Sequence, residues 1–427
     1  MLRREDNELI TRTGPGTPMG EALRRYWMPA LLSEELPEPD CPPVRVGLLS
    51  EKLVAFRDTE GKVGLVAENC PHRGASLFFG RNEECGLRCV YHGWKFDTSG
   101  TCVDMPNEPP ESNFKHKIKA TAYPCVELGG VVWAYMGPAV PSTGSGLPPL
   151  PAQEWARAPQ GHRFVSKTYE GCNYLQGIEG GVDSSHSSFL HRYFGTDSPL
   201  GTQGYRARST APKLEVLRTD YGFMYASLRN LKGEGKTYAR VYQFVMPFHQ
   251  QRAFEGYMGN PAIQGHMWVP INDHEQWVYN WLYHVDGSPV PEEEILLEET
   301  WTGRGPDDLI PGTFKPRRNA SNDYMIDRQA QKTRSFTGIE GVNTQDIAIQ
   351  ETMGAIYDRT KEHLGTSDLA VITARRLLIQ AATDVREGRD PIGAMGTSSH
   401  SVRAAEMVIP EDLHWHDAIK GELVARW

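Results

Sequence analysis

Cys70-Pro-His72 and Cys89-Val-Tyr-His92 put four metal-ligating side chains into two short clusters, with sixteen residues between His72 and Cys89. Each cluster offers one thiolate and one imidazole. A zinc site of the Cys₂His₂ type groups both cysteines in one half and both histidines in the other. Alternation on two neighbouring loops suits a pair of irons instead, one taking the two thiolates and the other the two imidazoles. Neutral imidazole in place of thiolate removes negative charge from such a cluster and raises its potential, which makes a one-electron relay. Gly74, Gly93 and Gly100 permit tight loops whose N–H groups can approach sulfur, and Trp94 and Phe96 can shield the metal. A structural zinc site is the competing reading. Cys85, Cys102, Cys125 and Cys172 have no partner at ligand spacing and read as small buried hydrophobes.

A second constellation is Asp183-Ser-Ser-His186-Ser-Ser-Phe-Leu-His191. In a regular helix, residues five apart point about 140° away from each other, so the two histidines share a metal only if the helix is broken between them. The serine-rich run and Gly180-Gly181 favour such a break. Alone, the motif reads equally as surface or core histidines. Downstream of a one-electron relay it gains meaning, because two imidazoles and a carboxylate can hold Fe(II) with positions left open for O₂.

CPHRGASL and CVYHGWKFD resemble the Rieske [2Fe–2S] signature. GPGTPMGEALRRYW, CNYLQGIEGGVDSSHSSFLH and NTQDIAIQETMGAIYDR extend the resemblance over nearly the whole chain, to the large subunit of Rieske aromatic-ring-hydroxylating oxygenases and within it to the phthalate dioxygenase-like branch. The resemblance implies that Cys70, His72, Cys89 and His92 hold the cluster and that His186 and His191 bind a mononuclear non-haem Fe(II). It makes Asp183 a bridge that accepts hydrogen bonds from His186 and from His92 of a neighbouring subunit, carrying electrons across the interface. The third iron ligand is then Asp346, with Glu351 and Glu179 as fallbacks; a helix-start acid is the plainer reading of Asp346. The resemblance further implies a flavin and iron–sulfur NAD(P)H reductase as electron donor, and a homotrimer or a hexamer of stacked trimers. It also implies either ring dihydroxylation of an aromatic acid, phthalate-like or a substituted benzoate, or O-demethylation of a methoxylated, lignin-derived one.

The elements that must position these residues can be read in outline. The expected class is α+β: an N-terminal all-β Rieske domain and a C-terminal catalytic domain with an antiparallel sheet flanked by helices, of the helix-grip type. Residues 1–27 read as a helical entry, with a helical pattern from Gly20 to Met28 stopped by Pro29. Residues 28–140 read as the Rieske domain, on short apolar runs beginning at Val44, Lys52, Val63 and Gly129. Residues 141–427 read as the catalytic domain, entered through the Pro/Gly/Ser-rich stretch 137–152. Within it, residues 170–192 read as partly helical, Lys213–Leu217 and Tyr238–Val245 as strands, the segment around Asn272-Asp273 as a hairpin, and 345–390 as strongly helical. Tyr242, Phe244, Met246, Phe248 and Trp268 are the expected pocket wall. Arg206, Arg208, Arg240 and His249 are the expected partners for a substrate carboxylate.

Composition excludes several classes. A net charge of −9 without a long basic block argues against a nucleic-acid partner. No run of about 18 apolar residues suggests a membrane span, and MLRREDNELITRTG lacks the apolar core of a secretory signal. Seven scattered cysteines do not form a disulfide framework, and a reducing cytoplasm fits them. Two alternatives remain open here: a Rieske electron carrier without a catalytic iron, and a zinc-stapled interaction protein. Metal analysis separates them. An oxygenase should carry about three irons per chain and the carrier about two, whereas the zinc protein should be colourless.

Overall fold

The structure, a computed structural model, describes residues 1–141, 143–194 and 203–426. The chain begins with two short helices, α1 (Arg4–Thr11) and α2 (Pro18–Leu23), the second opened by the Thr17 side chain accepting from the Gly20 N–H, with Pro18 at the first helical position. The helical pattern expected up to Met28 ends earlier. Trp27 and Met28 belong to strand β1 (Trp27–Leu32), paired with Tyr135 and Ala134, and the ladder shifts register between Pro29 and Leu31. Proline lacks the N–H that a regular ladder needs, so it sits at a bulge in the strand instead of ending a helix.

Three small antiparallel sheets follow. Strands β2 (Val44–Leu48), β3 (Glu51–Arg57) and β4 (Val63–Ala67) form a sheet that β9 (Ala122–Tyr123) completes. Strands β5 (Arg81–Glu83), β6 (Gly86–Arg88), β7 (Lys95–Phe96) and β8 (Cys102–Asp104) make a second. β10 (Cys125–Leu128) and β11 (Val131–Tyr135) join β1 in a third, with β11 central and fully buried. The Cys70 and Cys89 loops connect strands of these sheets, and both cysteines belong to a small core with Val54, Phe56, Val66, Leu87 and Phe96.

After a single turn, α3 (Glu154–Arg157), the large sheet begins with β12 (Arg163–Glu170). Helices α4 (Tyr174–Val182) and α5 (Gln203–Arg208) precede β13 (Lys213–Arg218), β14 (Gly222–Leu231), β15 (Lys236–Val245), β16 (His249–Glu255), β17 (Pro261–Asn272) and β18 (Glu275–His284). The order across the sheet is β12-β18-β17-β16-β15-β14-β13, antiparallel throughout. The hairpin expected at Asn272-Asp273 is the β17–β18 connection. Strand β15 changes partner halfway: Tyr242–Val245 pair with β16, while Lys236–Val241 pair with β19 (Ala405–Pro410) near the end of the chain. Helices α6 (Glu292–Thr302), α7 (Ala330–Thr333), α8 (Val342–Thr352) and α9 (Leu369–Arg386) complete the main elements. The helical reading of 345–390 holds for α8 and α9; residues 353–365 between them are turns and coil. Among the described residues, no helix is long and apolar enough to cross a membrane.

The large sheet has two different faces. One meets the small sheets through aromatic stacking: Trp155 of α3 lies 5.0 Å from Trp281, nearly parallel, and 6.4 Å from Trp133 of β11. The other faces α4, which also touches α8 and α9. Helix α4 comes this close because Gly177 and Gly181 lie against Trp268. A Cβ at Gly181 would be 1.9 Å from the Trp268 ring, and one at Gly177 would be 2.2 Å away. Helices α1 and α2 pack on α9, so the N-terminal helical entry lies with the half of the chain that carries the large sheet. Gly181→Ala should therefore push α4 off Trp268. The expected result is about 1–3 kcal/mol lower stability in denaturant unfolding, with fewer irons per chain and an unchanged visible spectrum from the Cys/His cluster; full stability and iron content would contradict this packing account.

Candidate metal centres and substrate cavity

The Cys70 and Cys89 loops are built alike. In one, the Cys70 N–H donates to the Ala75 carbonyl and the Gly74 N–H donates back to the Cys70 carbonyl. In the other, the Cys89 N–H donates to Trp94 and the Gly93 N–H returns to Cys89. Both closures require positive φ, 77° at Gly74 and 81° at Gly93, which glycine adopts without cost. The sulfurs point inward and the imidazoles outward: Cys70 and Cys89 are 2% and 3% exposed, while His72 and His92 are half-buried. The imidazole rings are 4.4 Å apart, and Trp94 stacks on His72 at 4.2 Å. Burial, with Cys89 alongside, pushes the Cys70 thiol up to about 11. A thiolate there needs a metal as counter-charge. His92 Nδ1 is buried without a hydrogen-bond partner. The four donors do not gather into a group within 4.8 Å of one another, as one zinc would require. Sulfurs at one end and imidazoles at the other fit a two-iron cluster.

Helix α4 stops at Val182, and Asp183 takes extended angles. A 3₁₀ turn, His186–Ser188, then swings His191 back. This break removes the 140° divergence of a regular helix. His186 Nε2 and His191 Nε2 come within 3.1 Å, and Asp346 Oδ1 of α8 lies 3.3 Å from His191 Nε2 and 3.7 Å from His186 Nε2. These three are the group, among the described residues, whose ligand atoms all lie within 4.8 Å. Burial would raise the Asp346 carboxyl, but His191 and His186 outweigh it and hold it below its usual range. The set fits one Fe(II): two neutral nitrogens and one carboxylate around a common point, beside open space.

The outer partners fix which nitrogens would face a metal. Gln345 donates through Nε2 to the Ile339 carbonyl at 2.8 Å, so its Oε1 is left to accept from His191 Nδ1, also at 2.8 Å. His191 thus carries its proton on Nδ1 and presents Nε2. Asp183 Oδ2 stands 3.5 Å from His186 Nδ1, too poorly aligned for a good hydrogen bond but close enough to favour the same tautomer. Burial would raise the Asp183 carboxyl, but the His186 interaction and Ser185 hydrogen bonds bring it down to about 2. Glu179 and Glu351 do not join this group. Glu179 is clamped by Arg359 and Arg375, and Glu351 accepts from the Gly171 N–H and the Tyr324 hydroxyl.

A cavity of about 120 Å³ opens beside the triad. Its floor is one face of the sheet, set by strand alternation: Arg240 and Tyr242 on β15, Gln250, Arg252 and Phe254 on β16, Gln264, His266 and Trp268 on β17. Arg206, Arg240, Tyr242 and Trp268 are where the sequence places them, on this wall. Arg208 ends α5, but its side chain lies outside the described residues. His249 is not a cavity residue. One position before Gln250, it points to the opposite face, 3% exposed, stacked on Trp133 and bonded to Gln153; burial drops its pKa to about 3. Phe244, Met246 and Phe248 are core residues outside the cavity wall.

Gln345, Arg252 and Arg304 are the residues that sequence reasoning missed. Gln345 directly precedes Asp346, and Arg252 shares the period-two pattern with Gln250, so position relative to a suspected ligand or strand was the available signal.

A Rieske [2Fe-2S] domain model matches residues 26–124, and a LigXa C-terminal domain like model matches residues 134–423. The chain is 39% identical to the phthalate 4,5-dioxygenase oxygenase subunit of Pseudomonas putida, over 98% of this chain and 94% of that one. It is 38% identical to the 3-chlorobenzoate-3,4-dioxygenase oxygenase subunit of Comamonas testosteroni, over 98% of each. A 5,5'-dehydrodivanillate O-demethylase oxygenase subunit from a Sphingobium species is 32% identical over 92% of this chain and 83% of its own. Among solved structures, NdmA of Pseudomonas putida CBB5 with caffeine superposes with a TM-score of 0.60 at 17% identity, covering 93% of this chain and all of that one, a likeness of fold.

The Gln345 arrangement is open to a direct test. Gln345→Leu should weaken iron binding at the His186–His191–Asp346 group by about 10- to 100-fold in an iron titration and leave the cluster's visible spectrum intact. Unaltered iron affinity would remove Gln345 from the site.

Proposed function

The chain belongs to the Rieske non-haem iron oxygenases as an oxygenase component, and from that premise we propose that it dihydroxylates the ring of an aromatic carboxylic acid, phthalate-like or a substituted benzoate. Enzymes of this kind incorporate O₂ with electrons from a reductase. When bound, the [2Fe–2S] cluster supplies single electrons and the mononuclear Fe(II) supplies O₂ activation. In our reading Cys70, His72, Cys89 and His92 hold the cluster, and His186, His191 and Asp346 hold the iron.

The observation that carries the substrate reading is Arg206. It lines the cavity, is 8% exposed, and its Nε has no hydrogen-bond partner. Burial, with Arg240 adding its own charge nearby, lowers its pKa, and Tyr238, Tyr242 and Glu406 offset only part of that cost. A substrate carboxylate relieves that cost with charge-assisted hydrogen bonds. Arg240 is already engaged with Glu406 and the Ala253 carbonyl, so it serves as a fixed neighbour. Tyr242 and Trp268 offer flat walls for the ring, and His186, His191 and Asp346 stand at the ring's edge.

Asp183 serves, in this reading, as the bridge between subunits. Its carboxylate holds His186 from one side and can accept from His92 of a neighbouring copy, in a homotrimer or a hexamer of stacked trimers. A flavin and iron–sulfur NAD(P)H reductase completes the system in the cytoplasm. Asp183→Asn should keep both metals and slow electron transfer between them in single-turnover kinetics; an unchanged rate would dismiss the bridge.

The relative that demethylates dehydrodivanillate supports a second reading, O-demethylation of a methoxylated aromatic acid. One assay decides. With a surrogate reductase, aromatic acids should drive O₂ uptake and yield a cis-dihydrodiol without formaldehyde. Formaldehyde in step with O₂ uptake would select the second reading, and no response to any carboxylate would reject both.

A further inference from the structure

We propose that Glu170, a buried carboxyl one rung beyond the cavity wall, is a proton donor: it takes protons from the half-buried Glu351 and hands them past Thr168 and the Gln276 and Gln350 amides to the cavity, where the oxygenase reaction consumes them. The inference goes beyond the choice of substrate. Ring dihydroxylation joins O₂, two electrons and two protons to the arene, each oxygen ending as a hydroxyl on a new C–O bond. O-demethylation takes the same two electrons and two protons and releases formaldehyde and water. The reductase supplies the electrons, and the protons must cross a buried wall.

The acids that line the cavity among the described residues are Asp183, Glu298 and Asp346, and all are engaged. Asp346 faces His191 and His186, Asp183 faces His186, and Glu298 pairs with Arg304 at 3.0 Å. Glu170 is placed differently. On β12, Thr168 stands opposite Val278 and Glu170 opposite Gln276, on one face by alternation, and Thr168 and Val278 line the cavity. Glu170 is 1% exposed. Among the described residues its oxygens accept from the Cys172 thiol at 3.3 Å and from Gln276 Nε2 at 3.0 Å, and not from a cation. Burial pushes the carboxyl up to about 8; the Cys172 hydrogen bond opposes this, and the charges of Glu351 and Asp346 on α8 add to it. Tyr324 is the further titratable group that feels it, while β18 presents the neutral Gln276 and α4, packed on that amide, presents Gly177. The group therefore holds a proton at neutral pH and loses it as pH rises through about 8. A purely structural role is better met by glutamine, which has no charge to desolvate.

Polar atoms continue on both sides of Glu170. Inward, Thr168 Oγ1, Gln276 Oε1 and Gln350 Oε1 are buried and have no hydrogen-bond partner among the described residues. Gln276 and Gln350 both lie on the glycine face of α4: a Cβ at Gly177 would be 2.9 Å from Gln276 Nε2, and one at Gly180 would be 2.3 Å from Gln350 Nε2. Thr168 and Gln350 reach the cavity. Buried polar atoms of this kind are ordinarily met by ordered water, and a proton crosses such a water by one exchange of hydrogen bonds. Outward, Glu351 accepts from the Gly171 N–H at 2.7 Å and from the Tyr324 hydroxyl. A Cβ at Gly171 would stand 3.1 Å from Glu351 Oε1, so this carboxylate lies over the backbone that joins Glu170 to Cys172. Half-buried, Glu351 meets solvent on its outer side.

The first readout needs no turnover. Infrared difference spectra of the metal-loaded protein across pH should show a protonated-carboxyl C=O band that fades with a midpoint of about 8 and is missing from Glu170→Gln. A wild type without that band overturns the inference even if the variants fail to fold, and so does a band that survives in Glu170→Gln. The second readout is single turnover of the pre-reduced protein with O₂ and phthalate, benzoate or 3-chlorobenzoate. Glu170→Gln should keep the cluster's visible spectrum, the iron content and the affinity for the acid. It should slow product formation by about 100-fold, with a larger solvent deuterium isotope effect. Thr168→Val should keep the infrared band and slow product formation too, and Glu170→Asp, shorter but still titratable, should regain part of the rate. An unchanged rate in Glu170→Gln, or a loss in proportion to lost iron, overturns the assignment. If none of the acids yields product in the wild type, the substrate reading fails by itself, and the infrared titration still decides Glu170.

Discussion

Helix α4 lies flat on the large sheet because Trp268 occupies the volume that side chains at 177 and 181 would need. This contact fixes where the helix ends, and its end delivers Asp183, His186 and His191. The same helix meets α8 through Gly180, where the Gln350 side chain fills the gap, so the strand that carries Trp268 and the helix that carries Asp346 are held to one reference. A metal triad tolerates errors of a few tenths of an ångström, and close-packed interiors supply that precision better than loops do. The serine-rich segment after Val182 could not order itself alone. Arg229, fully buried, ties it down by donating to the Ser184 carbonyl and to Ser227.

The cluster loops follow a different logic. They need little packing because backbone hydrogen bonds close them, and glycine meets the conformational requirement. Their sulfurs are buried by a small separate core and their imidazoles reach the surface. A cluster held by these four side chains would be shielded at its sulfur end and approachable at its imidazole end.

Much of this was legible in the residues. The Cys-x-His and Cys-x-x-His pairs are local, so their spacing alone carries the chemistry. His186 and His191 were visible as a pair that only a broken helix could unite, and the break is there. Strands β13 and β15 and the β17–β18 hairpin followed from alternation and turn residues, whereas β12, β14, β16 and β19 were not legible in this way. Contacts distant in sequence were harder. Asp346 was reached through the resemblance, because nothing near it in the chain distinguishes a ligand from a helix-start acid. His249 failed on parity: a strand shifts every side chain to the other face with a one-residue step, and the phase of β16 is set by its neighbours across the sheet. Arg252 was hidden for the same reason. The helical pattern through Met28 gave way because pairing with β11 buries Trp27 and Met28 better than a helix turn would.

Strand β15 exchanges β16 for β19 at Tyr242, and this exchange has an electrostatic side. Glu406 sits directly opposite Arg240 on β19 and forms an ion pair with it at 3.2 Å, while also accepting from Tyr238. Strand β19 follows every residue of the cavity wall in the chain, yet it reaches back to set the charge around one of the cavity's arginines. Its Glu406 carboxylate pairs with Arg240 and its charge also reaches Arg206, so a strand remote in sequence offsets part of the positive charge on that side of the cavity.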